Sequence, residues 1–163
     1  MLIRFENNHF AVVDDAFALV ADDEDIPARG GVILSLDRFE RDGEALLADG
    51  RSVGVRIGPA ESVETLAYDL PRLDVVALEF PKYRDGRAYS SAVLLRERYG
   101  FAGEIRAIGD VLIDQSWNLL RCGFDGFETE VGVNAWASAA LRYRHVYQAS
   151  ADDRPPAFAE RAR

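Results

Sequence analysis

The 163-residue chain has one cysteine, Cys122, one lysine, Lys82, and two histidines, His9 and His145. A single cysteine excludes an internal disulfide framework, a self-contained iron–sulfur cluster and a Cys-rich zinc site. The histidines are far apart, and neither has a metal-type partner at helical spacing, so no metal site is expected. No apolar run reaches the roughly 18 residues of a membrane span. Met1-Leu2-Ile3-Arg4-Phe5-Glu6 has no basic stretch followed by an apolar one, so no secretory signal and no membrane contact are expected. GxGxxG and P-loop fingerprints are absent, as is the GxSxG nucleophile elbow, and no Ser/His/Asp set can be nominated on spacing. Nineteen basic residues stand against 28 acidic ones, a net charge of −9. That balance argues against nucleic acid as a partner. What remains is an acidic protein with a cytoplasmic location expected.

Apolar residues make up 48% of the chain and charged residues 29%, enough for one domain with a sizeable core. The expected division is a single α/β domain over 1–148 and a flexible tail over 149–163. Within the domain, residues 1–30 read as an N-terminal β-hairpin, with strands Phe10-Ala11-Val12-Val13 and Phe17-Ala18-Leu19-Val20 around Asp14-Asp15-Ala16. From residue 31, short apolar strands alternate with helical segments. The strands are expected at 32–34, 53–57, 75–78, 105–108 and 127–128. The helices are expected at 36–48 with Ser35 as N-cap, at 60–69, at 88–99, from Asp110 as cap to about Cys122, and from Asn134 to about Tyr147. The alternation predicts repeated βα units and a mostly parallel five-stranded sheet, as an open sandwich or a partial barrel, since the chain is too short for eight units.

In parallel α/β sheets, ligands bind beyond the carboxyl ends of the strands. That rim holds Ser35, Arg56, Glu79, Lys82, Gly109, Asp110, Glu128 and Glu130. Its densest stretch runs from Glu79 to Ser91, with Lys82, Arg84 and Arg87 just before a helix start. Backbone donors, Ser90 and the arginines suit a phosphate, sulfate or carboxylate, or an acidic partner. The same loop also reads as a charged connection whose arginines pair with Glu79, Asp85 and Glu97. Glu79 and Asp110 form a potential carboxylate pair, although Asp110 is more simply a helix cap and Glu79 a partner of Arg56 or Lys82. Cys122 reads as a packed, inert thiol. Trp136 is nominated as an exposed interaction residue.

The string Leu78-Glu79-Phe80-Pro81-Lys82-Tyr83-Arg84-Asp85-Gly86-Arg87-Ala88-Tyr89-Ser90 resembles the signature of the bacterial family called domain of unknown function 934. The likeness continues through 94–101, 103–112, Asp114-Gln115 and Arg121-Cys122-Gly123-Phe124-Asp125, and covers most of residues 30 to 130. Ala88 stands where the family often has glycine. Members of this family are companions of assimilatory sulfite reductase and are often labelled as oxidoreductases. The resemblance therefore implies an accessory protein that binds the sirohaem sulfite reductase subunit and supports electron delivery to it. No catalytic residues are carried over, and no cofactor is expected, a bound flavin being the one alternative. The anion- or partner-binding candidates are Arg56, Glu79, Lys82, Arg84, Asp85, Arg87, Ser90 and Asp110. The second reading is an oxidoreductase or other enzyme that holds a cofactor phosphate or a sulfur oxyanion on the same rim.

Overall fold

Asn7 and Asn8 both have positive φ, 50° and 62°. This is the backbone of a tight two-residue hairpin turn, and asparagine tolerates it better than most residues. In the computed structural model, which describes residues 1–143, 145–152 and 154–160, this turn joins β1 (Leu2–Glu6) to β2 (His9–Val13) in antiparallel register, with Phe5 opposite Phe10. The expected N-terminal hairpin therefore lies one strand earlier in the chain. Residues 14–16 are not its turn. They lead to β3 (Phe17–Leu19), which pairs in parallel with β4 (Gly31–Ser35).

Four further strands follow, β5 (Val53–Ile57), β6 (Val75–Phe80), β7 (Glu104–Gly109) and β8 (Gly126–Glu128). Among the described residues the sheet has eight strands in the order β2-β1-β8-β7-β6-β5-β4-β3. The five expected strands are β4 to β8, all parallel. The expected strand count is corrected by β1, β2 and β3, of which β1 runs antiparallel to both its neighbours.

The sheet has to curl. Laid flat, eight strands would separate the edge strands β2 and β3 by about 34 Å at the usual interstrand spacing. Residues 14–16 link Val13 to Phe17 and can span only about 14 Å. The result is an open, barrel-like sheet whose edges are joined by a short strap.

The convex face carries the helices and the main core. Val32, Leu34, Val53, Val55, Val76, Leu78, Phe80, Ile105, Ala107 and Phe127 pack there with residues of α1 (Leu36–Ala48), α2 (Arg87–Val93), α3 (Ser116–Arg121) and α4 (Val133–Ala140). The concave face holds a smaller cluster, Ile33, Val75, Ala77 and Ile108, with Phe17 against it. Near-continuous apolar strands are what burial on both faces requires.

Helix α1 forms as expected, with the Ser35 hydroxyl accepting from the Arg38 amide at 3.1 Å. The helix expected at 60–69 is replaced by two 3₁₀ turns, Val63–Leu66 and Leu70–Arg72, with Pro71 inside the second. After α2 the chain widens into a π turn over Leu94–Arg98, where the Tyr99 amide bonds the Leu94 carbonyl at 3.2 Å. Helix α4 ends at Ala140, before the expected Tyr147, and Tyr143 lies edge-on to Trp117 at 5.2 Å. Trp136 is fully buried, against Phe127 at 5.3 Å. Its nomination as an exposed residue is therefore corrected: the helix turns its one large side chain into the core.

Beyond α4, Val146 bridges Pro156, and Asp152 accepts from Arg121 at 2.8 Å and from Arg154 at 2.5 Å. A last short helix, α5 (Ala157–Glu160), follows. Asp153 and residues 161–163 of the expected tail, and Arg144 of the expected last helix, lie outside the described residues.

Candidate functional site at the rim of the sheet

Side chains alternate across a strand, so one cross-strand row lies entirely on the concave face. It reads Ser35, Arg56, Ala77, Arg106, Gly126, Arg4 along β4 to β8 and β1. Small residues separate the arginines. Arg106, fully buried, donates to Glu104 at 2.6 Å and to the two oxygens of Asp15 at 2.7 and 3.2 Å, and lies over the Phe17 ring. Arg4 bonds the other oxygen of Glu104. Because Asp15 lies in the strap between β2 and β3 and Phe17 opens β3, these contacts tie the strap across the concave face. Burial pushes the nearby Glu128 carboxyl above its ordinary pKa, with Arg106 opposing.

Arg56 shares the row but not the network. It is half-buried, and its side chain has no hydrogen bond or ion pair among the described residues. Glu79, two residues beyond its register neighbour Ala77, is also half-buried, and it pairs with neither Arg56 nor Lys82 within 4 Å. The two sit on adjacent strand ends as separate groups.

The loop 81–86 after β6 is held by two side chains. Asp110 accepts from the Tyr83 amide at 3.0 Å. Gln115 donates to the Tyr83 carbonyl at 3.1 Å and to the Tyr89 hydroxyl at 3.0 Å, while accepting from the Leu112 amide at 2.8 Å. Gly109, with φ 91°, lets the chain fold back so that the Asp110 amide bonds the Phe80 carbonyl at 2.8 Å. The expected role of Asp110 as a helix cap is corrected. Its carboxylate turns back to the neighbouring loop, and the helix starts only after a 3₁₀ turn at Ile113–Gln115.

Within that loop the cations divide. Arg87 is spent on Asp85, at 2.9 and 2.5 Å, and its hydrogen bonds lower the Asp85 carboxyl to about 2. Arg84 instead lies over the Tyr83 ring, 5.4 Å from its centroid, and donates to the Tyr83 hydroxyl at 2.8 Å. Lys82 is exposed, and neither it nor Arg84 has a carboxylate within ion-pair distance among the described residues. Ser90 lies on the outer side of α2, in an apolar groove with Val93, Leu94 and Cys122, apart from the loop cations. Burial pushes the Cys122 thiol above its ordinary pKa, with Arg121 opposing, so it stays protonated at neutral pH.

Next to the loop, a groove of about 610 Å³ opens between Met1, the segment 109–114 and the segment 128–131. The structure thus brings Lys82, Arg84, Asp85, Arg87 and Asp110 onto one rim feature, and leaves Arg56 and Glu79 on the concave side. Gln115 and Tyr83 went unnominated. Both lie inside the strings that carry the family likeness, and an aromatic beside an arginine in a Pro- and Gly-bounded loop is the available signal for Tyr83.

The profile of a family described as "Bacterial protein of unknown function (DUF934)" matches residues 54–158, more than half of the chain. Comparison with curated proteins finds no match.

Proposed function

The chain belongs to the DUF934 family, and from that premise we propose that it is an accessory protein of assimilatory sulfite reduction, binding the sirohaem sulfite reductase subunit and supporting electron delivery to it. One observation supports this reading above the others. The most distinctive string of the chain, 78–90, contains the loop 81–86, which is pinned by Asp110 and Gln115 and holds two cations, Lys82 and Arg84, free of internal carboxylates among the described residues. A rigid loop of this kind suits recognition of a macromolecule, because little ordering entropy is lost on contact. The acidic remainder of the chain supplies long-range steering for a partner whose surface is basic around the carboxylates that meet this loop.

The test is size-exclusion chromatography of the purified protein with its cognate sirohaem haemoprotein, read at protein and haem wavelengths. Co-elution that weakens as salt rises is the expected result. Separate elution at low salt at concentrations of tens of micromolar would overturn the reading. Arg56 favours the second reading, an oxyanion or cofactor-phosphate site, because this half-buried residue leaves its guanidinium without a partner among the described residues. Calorimetric titration of sulfite, sulfate and flavin mononucleotide into the free protein separates the two, since only that second reading produces saturable heat with one of them.

A further inference from the structure

We propose that Tyr83 and Arg84 form a preassembled anchor through which this rim docks on a protein surface presenting carboxylates beside an apolar depression. The proposal rests on the accessory reading above and names the contact by which it acts.

Three observations converge on this pair. First, the two side chains are already assembled: the Arg84 guanidinium lies over the Tyr83 ring and is hydrogen-bonded to its hydroxyl. Second, the Tyr83 backbone is fixed at both its amide and its carbonyl, by Asp110 and Gln115. Tyr83 is nevertheless 45% exposed, so the loop is braced through its backbone while this residue stays open to solvent. Third, the charge is unspent. Arg4, Arg96, Arg106 and Arg121 are all committed to internal carboxylates, as Arg87 is to Asp85. Arg84 and Lys82 are not.

The carboxylates nearest in sequence and hydrogen bonding, Asp85 and Asp110, are engaged with Arg87 and the Tyr83 amide. A partner carboxylate therefore meets a cation that has no competing ion pair to break. Tyrosine and arginine are also the residue types that carry binding energy at the centre of protein interfaces. The partner that fits offers a depression for the Tyr83 ring, rimmed by aspartate or glutamate.

The experiment measures calorimetric affinity for the sirohaem haemoprotein with the full chain and three variants, each checked for folding by circular dichroism. Tyr83→Ala and Arg84→Ala are each expected to weaken binding by about thirtyfold, the scale of an interface hot spot. Arg41→Ala, an exposed cation of α1 outside this loop, is expected to change it less than about threefold. Raising the salt concentration should weaken the wild-type complex more than that of Arg84→Ala. Wild-type affinity in folded Tyr83→Ala and Arg84→Ala would remove the anchor and leave the accessory reading standing. Absence of binding by the wild-type protein would remove both.

Discussion

Replacing Arg96 with alanine should destabilise the fold by about 4 kcal/mol, because one guanidinium satisfies four acceptors that have no alternative donor in place. Its Nε donates to the Gly123 carbonyl at 2.9 Å, one terminal nitrogen to the Phe101 and Gly103 carbonyls at 2.6 and 2.8 Å, and the other to Asp125 at 2.8 Å. Asp125 in turn accepts from the Ile105 amide at 2.8 Å, so the chain of bonds ends on β7. Arg96 therefore joins the π turn after α2, the loop before β7 and the turn after α3. Gly123, with φ 92°, serves the same junction: a Cβ there would lie 2.6 Å from the Arg96 Cγ. Lysine cannot substitute, since a single ammonium lacks the planar fork. A melting temperature lowered by roughly 10 °C is the matching thermal result for a chain of this size.

The loss should also depend on pH. Burial raises the Asp125 carboxyl to about 6, with Arg96 and the Ile105 amide pulling it back. A carboxyl whose folded pKa lies above its unfolded value contributes stability as the pH falls through the folded pKa toward the unfolded one. Removing Arg96 raises the folded pKa of Asp125 further and extends that window upward. The gap between variant and wild type is therefore expected to be smaller at pH 5 than at pH 8, by urea denaturation at each pH. A loss under 1 kcal/mol at pH 8, or a gap that widens with acid, would remove Arg96 from this role.

Some of this was legible in the chain and some was not, for identifiable reasons. Strands β4 to β7 stand out because both of their faces are covered, which writes near-continuous apolar runs. Helix α1 can be placed from Ser35 to Asp49 because a capping hydroxyl and a following Asp-Gly bound an amphipathic stretch. Strand β1 escapes a local reading because its signal lies in the turn after it, Asn7-Asn8, rather than in its own short pattern. The pairing of β3 with β4 depends on the curl of the whole sheet, which no local pattern states. At the rim, the strand-end rule locates Arg56, Glu79 and Asp110 without a motif. It cannot say that Arg87 is neutralised while Arg84 is free, because that turns on which rotamers the neighbouring carboxylates allow.

Replacing Arg106 with methionine should cost about 3–5 kcal/mol, the scale of breaking a buried ion pair by removing one partner. Glu104 has only 8% of its side chain exposed and would lose one of its two cations; Asp15, on the strap, would lose its only ion-pair partner among the described residues. By contrast, Asp15→Asn should cost no more than about 1 kcal/mol, because that side chain is 37% exposed and water replaces part of the lost contact. The asymmetry follows from position. Arg106 sits in the row between Ala77 and Gly126, where the absence of bulk on both neighbouring strands leaves room for a guanidinium to lie flat against the sheet. A Cβ at Gly126 would collide with the Glu104 carboxylate, so Gly126 belongs to the same arrangement. Adding Glu104→Gln to Arg106→Met should recover part of the loss, since the carboxylate that was left short of a cation is then neutral. Recovery would show that the penalty comes from unpaired charge and not from the lost packing of a long side chain. A single Arg106→Met variant within 1 kcal/mol of wild type by urea denaturation would mean that the strap is held by Phe17 and the backbone alone. The ion network would then have no part in bringing the two edges of the sheet together.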